Sequence, residues 1–151
     1  MMKEAGLTRQ ERQFAALMRF MTVFFLFTAT IAASFPQGIL TYVTRIGIGL
    51  FGWRTRFPIF AEDPFWIILA VASLLTLSSF CWIVSRDVLR NLSFARVIIV
   101  SKLFTTIGFI VAFFLGERLF VYLAAAVVDG LIFAIVGLTY RVTVTSRPQS
   151  F

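Results

Sequence analysis

Residues 64–85, PFWIILAVASLLTLSSFCWIVS, run for 22 positions without a formal charge until Arg86 ends them. At 1.5 Å per residue a helix of that length is ~33 Å long, enough to cross the ~30 Å hydrocarbon core of a bilayer. Pro64 suits the first helical position, where its missing N–H forfeits no bond, and Asp63 stands where a cap belongs. Three further apolar stretches occur, at 14–34, 94–116 and 119–140. Composition agrees: 60% of the 151 residues are hydrophobic, 19 are Phe, and mean hydropathy is +0.93. Soluble domains use roughly 45–50% apolar residues. The sequence therefore predicts an all-α membrane protein, with residues 1–151 forming one integral membrane domain. Four transmembrane helices are expected in an antiparallel bundle, with an amphipathic interfacial helix after the first.

The first crossing starts from a polar head. Thr8 and Glu11 have the spacing of a capping box, which predicts a helix beginning near Arg9. Its uncharged part, Phe20 to Ser34, is short, and Arg19 completes it by snorkelling to the interface. A cleaved signal peptide is the competing reading, with Ala32 and Ala33 as small residues near a cleavage point. The long mixed head favours a retained anchor. Pro36 and Gly38 then break the chain. Across 39–53, Ile39, Tyr42, Val43, Ile46, Leu50 and Trp53 recur at helical spacing opposite Gly38, Thr41, Arg45, Gly49 and Gly52. This stretch is too short and too glycine-rich for a crossing. It reads as a helix in the membrane surface or dipping partly inward, with Arg45 on a lipid phosphate. Residues 54–64 read as an exposed loop.

Basic residues set the orientation. Lys3, Arg9, Arg12, Arg19, Arg86, Arg90, Arg96, Arg141 and Arg147 gather on one side of four crossings, and Arg45, Arg54, Arg56 and Arg118 on the other. Both termini are expected in the cytoplasm of a bacterial inner membrane. The net charge of +7 then reflects topology and anionic head groups, not nucleic acid.

Chemistry is constrained by what is missing. The chain has no histidine, so it brings no imidazole to a haem, a metal or a nucleophilic triad, and it contains no phosphate-binding glycine loop. No ligated cofactor or metal is expected, and no enzymatic role. Cys81, the single cysteine, lies in an apolar run and reads as packing. Ser73, Thr76 and Ser79, three apart in the second crossing, read as a helix-packing face.

Two ionisable residues remain deep in crossings, Lys102 and Asp129. Glu117 and Arg118 alone separate the third and fourth crossings, which must form an antiparallel hairpin. Counted from that turn, Lys102 and Asp129 differ in depth by two residues, ~3 Å. A lysine side chain spans that difference, so the two are expected to pair within the membrane. Ala126, Gly130 and Ala134 form a small-residue row that admits a close neighbour, and Thr105, Thr106 and Tyr122 complete a polar pocket. Such a pair either fixes helix register or serves as a proton or ligand site.

The four crossings, the long connection after the first, "SRDVLRN" at 85–91, "VIIVSK" at 97–102 and "YLAAAVVDGLIF" at 122–133 together resemble the small DoxX-like and related four-helix bacterial membrane proteins. The resemblance spans most of residues 14–140. Some such proteins are associated with quinone-linked oxidoreductase complexes, so it implies an accessory or anchoring role and supplies no catalytic residues. The leading expectation is a non-catalytic accessory or scaffold subunit of a larger membrane complex, with the bilayer and other subunits, or further copies of itself, as partners. The alternative is a small binding protein or transporter for a lipophilic ligand, a quinone or lipid, or for protons, using Lys102 and Asp129.

Overall fold

The computed structural model describes residues 7–53, 64–116 and 118–146. They form helices α1 (Arg9–Ser34), α2 (Pro36–Phe51), α3 (Pro64–Arg86), α4 (Leu92–Leu115) and α5 (Phe120–Thr145), and no strands occur among them. α1, α3, α4 and α5 are each long and apolar enough to cross a membrane.

α1 begins where its capping box requires. The Glu11 amide donates to Thr8 Oγ1 at 3.3 Å, and the Thr8 amide donates to Glu11 Oε2 at 2.9 Å. Two orphan amides are thereby satisfied at a helix start. Phe14, Met18, Met21, Phe25 and Ala29 follow at three- and four-residue intervals and are all buried, while Phe20, Val23 and Phe27 face outward. The break after α1 is a single residue, Phe35. Pro36 opens a new helix there, because a proline at its first position fixes φ and sacrifices no bond. α2 thus starts three residues before the expected position 39.

α2 ends at Gly52, whose φ of 61° is the left-handed conformation glycine tolerates best. The Gly52 amide donates to the Ile48 carbonyl and the Trp53 amide to the Gly47 carbonyl, closing the helix with paired reverse bonds. The side of α2 turned to the protein is narrow, carrying buried Thr44 and Gly47. It lies about a third of a turn from the apolar stripe read in the sequence. Tyr42 and Leu50 of that stripe are strongly exposed, and the small residues on the other side permit close docking.

The docking partner of α2 is the start of α5. Phe51 stacks on Phe120 with centroids 5.3 Å apart, and Trp53 lies 5.8 Å from the same ring. Trp53 also donates its indole N–H to the Arg118 carbonyl at 2.9 Å. A Cβ at Gly47 would sit 2.5 Å from Phe120 Cγ, so only glycine fits.

α1 packs most extensively on α3, and α4 on α5; the contacts between these pairs are fewer. Ser78 of α3 donates to the Thr22 carbonyl of α1 at 2.9 Å, tying the first pair together. The core gathers Phe14, Met18, Cys81, Val84, Ile98 and Val136. It therefore lies between the first part of α1, the last part of α3, the first part of α4 and the last part of α5. Towards the other end, α3 before Leu77 and α4 after Lys102 are largely exposed.

Several boundaries differ from expectation. α5 does not stop at Tyr140 but continues through Arg141 to Thr145, with Thr143 buried and donating back to the Thr139 carbonyl. α4 begins two residues early, at Leu92, after a turn in which Asp87 Oδ1 accepts from the Arg90 amide. The expected cap Asp63, the loop at 54–63, Glu117 and the last five residues lie outside the described ones.

The fit of α2 against α5 is testable by one methyl group. Gly47→Ala is expected to destabilise the protein by about 1–3 kcal/mol through overpacking on Phe120. Gly49→Ala, with open space around it, is expected to be neutral or slightly stabilising. Thermal unfolding of both variants in detergent measures the difference.

Candidate functional site

Lys102 is placed inward by helical period. Ala95, Ile98 and Lys102 are the buried residues of α4, and Ala126, Asp129, Ile132, Val136 and Thr143 those of α5. Where the two stripes meet, Lys102 Nζ donates to Asp129 Oδ1 at 2.7 Å. Other contacts along the two helices run in opposite senses on either side of it. Phe109 stacks on Tyr122 towards the connecting turn, and Arg96 Nε donates to the Tyr140 hydroxyl away from it.

The second carboxylate oxygen is also engaged. Thr105 donates its hydroxyl to Asp129 Oδ2. The Lys102 carbonyl, 3.2 Å from the same hydroxyl, already accepts from Thr106 Oγ1 at 2.7 Å. An ionised acceptor outcompetes an amide carbonyl, so the Thr105 proton belongs to Asp129. Lys102 and Asp129 are both buried, whereas Thr105 is exposed.

α1 also closes on the ammonium. The Phe25 ring of α1, fully buried, has its centroid 5.1 Å from Lys102 Nζ, a cation–π arrangement strengthened by burial. α1, α4 and α5 therefore meet at one lysine. The arrangement is neutral as a whole, which is how charges persist in an apolar interior: each has a partner and hydrogen bonds.

The expected residues divide into three groups. Lys102, Asp129 and Thr105 come together. Thr106 bonds back to its own helix and turns its methyl towards Gly130, where an added Cβ would sit 3.5 Å away. Ala126 is buried in the same seam. Tyr122 does not join the pocket; two turns from Asp129, it stacks on Phe109. Ala134 is exposed, because an i, i+4 row drifts 40° per step on a 3.6-residue helix and has left the interface after two steps.

Ser73, Thr76 and Ser79 do not form a packing face within the chain. All three are exposed, and they donate to the carbonyls of Leu69, Ala72 and Leu75. Their hydroxyls are satisfied by their own helix, so no neighbour is required; the packed face of α3 carries Leu77, Ser78, Cys81 and Val84 instead. Arg45 is exposed on α2 and takes no part in the pair. The cover supplied by Phe25 was missed in the sequence, where one Phe among nineteen carries no signal of what it touches.

No family model matches the chain, and neither a curated protein nor a solved structure does.

Removing one partner strands the other charge. Asp129→Leu alone is expected to cost roughly 3–5 kcal/mol, and Lys102→Met with Asp129→Leu to recover most of that loss. Reversible unfolding in mixed micelles gives both values; a double variant as unstable as the single one would mean that the pair is not coupled.

Proposed function

We propose that the chain is an integral protein of a bacterial inner membrane, its four long helices crossing as an antiparallel bundle with both termini cytoplasmic. In this reading it acts as a non-catalytic accessory or scaffold subunit of a larger membrane complex. The observation that carries the proposal is the closure of its polar centre. Both oxygens of Asp129 are engaged by side chains of the same chain, and Phe25 covers Lys102. A carboxylate held this way serves helix register more readily than acid–base turnover.

The outer surface supports the same reading. Phe65, Trp66 and Ile68 on α3 and Phe104, Phe114 and Leu115 on α4 are all more than half exposed. These are surfaces for lipid or for other membrane subunits. α2, docked by its narrow side and exposing Tyr42, Leu50 and Phe51, fits a helix lying in the outer interface with Arg45 among head groups. Arg9, Arg12, Arg19, Arg86, Arg90, Arg96 and Arg141 are exposed at the other end, in keeping with the positive side being cytoplasmic. Membership of the DoxX-like group is part of the proposal, and it would add association with an oxidoreductase assembly.

Mild detergent extraction followed by size analysis and identification of co-purifying proteins tests the role. A stoichiometric partner, recovered reciprocally when that partner carries the tag, is the expected result. It should persist in the Lys102→Met, Asp129→Leu double variant, because register and not chemistry is what the pair supplies. A chain that always purifies alone, or a phenotype lost in a folded double variant, would overturn the assignment. Reporter fusions after Ser146 are expected to report a cytoplasmic location.

A further inference from the structure

The seam between α3 and α4 is closed at one level and open at another. Next to their connecting turn, Phe80 and Phe94 face each other with ring centroids 5.2 Å apart. Eleven residues make three helical turns and return to the same side of a helix. Three turns beyond Phe94 stands Thr105, and three turns before Phe80 stands Leu69. Both are exposed. Neither helix covers the other at these positions, ~16 Å beyond the phenylalanines, and the one hydroxyl that contacts Asp129 is exposed there.

The hydrogen-bond inventory of that open level is one-sided. A threonine hydroxyl has a single proton and two acceptor lone pairs. The Thr105 proton is committed to Asp129. On the α3 wall, Thr76 and Ser73, one and two turns before Phe80, are exposed, and their protons are committed to the Ala72 and Leu69 carbonyls. What these three hydroxyls turn towards the gap is acceptor capacity. A free lone pair can accept from a donor that arrives through hydrocarbon, and the carboxylate behind Thr105 polarises its oxygen to accept more strongly.

We propose that the gap between α3 and α4 binds a lipid-soluble alcohol or phenol, whose hydroxyl donates to Thr105 Oγ1 while its apolar body lies along Leu69. The bond is non-covalent, and the buried pair stays intact behind it. A ketone, ether or ester of the same shape offers no proton and is discriminated against. The proposal shares the bilayer placement given above but not the subunit role, so the two stand or fall separately.

Nonylphenol and its methyl ether form a matched pair of probes differing in the donor. Their binding is compared by calorimetry on the purified full chain in phosphatidylcholine nanodiscs, with empty discs subtracted. The phenol is expected to bind roughly threefold to tenfold more tightly than the ether, the range of one net hydrogen bond. Thr105→Val should reduce that preference to unity, and Thr105→Ser should keep it. Leu69→Trp, which fills the gap without touching the pair, should weaken both probes; it keeps the question answerable if Thr105→Val fails to fold. Equal binding of phenol and ether to the wild-type chain, as when only water or acyl chains reach Thr105, would overturn the proposal. So would a preference that survives Thr105→Val or an unchanged affinity in Leu69→Trp.

Discussion

A charge inside an apolar helix has to be answered by an opposite one at the same depth, and the contact between Lys102 and Asp129 meets that condition. Everything between the two residues is subject to it. α4 and α5 are joined by so short a connection that a slip of one residue in either would carry the carboxylate ~1.5 Å along and 100° around its helix. Apolar contacts would tolerate such a slip, since lipid-facing and protein-facing leucines differ little in energy when no water is involved. The ion pair does not. It supplies the directional term that greasy helices lack.

Its influence extends past the hairpin. Phe25 brings α1 onto the ammonium, so the two more tightly packed helix pairs are linked at the lysine. The apolar core on the terminal side of this point includes Met18, Val84, Ile98 and Val136, all buried together. On the far side the contacts thin, and α2 takes over as the element that braces the start of α5 through Gly47, Phe51 and Trp53. Bracing by a close glycine contact and an aromatic stack needs little area, which suits a helix of 16 residues.

The sequence made some of this legible for physical reasons and hid the rest for others. Helix number and length follow from uninterrupted apolar runs, because in hydrocarbon the backbone has no partner but itself. The capping box at Thr8 and Glu11 is a local signal with local geometry, and it formed. The pairing of Lys102 with Asp129 was legible because a two-residue turn fixes relative depth and the two charges have few alternatives. Facing directions were not legible in the same way. Outside water, hydrophobicity does not distinguish interior from exterior, so the stripe on α2 and the hydroxyl row on α3 pointed away from the side that packs. Ala134 shows the same limit: a spacing of four marks one face for two turns and not for three.

The serines and threonines bring these points together. Thr22, Thr28, Thr30, Thr44, Ser73, Thr76, Ser79 and Thr139 all donate to carbonyls four residues back. Such a hydroxyl is neutral with respect to packing: its proton is satisfied wherever the side chain faces, and no second helix is specified by it. Ser78 and Thr105 break the pattern by reaching across to another helix. Ser78 does so within the closed core, where its bond to the Thr22 carbonyl joins α1 to α3. Thr105 does so at the edge of the core, donating inward to a buried carboxylate from an exposed position. A hydroxyl that only secured the pair would gain from being covered, as the lysine is by Phe25. Its exposure places the boundary between the sealed and the open half of the structure at Thr105, where a polar group in the interior is reached through a single oxygen.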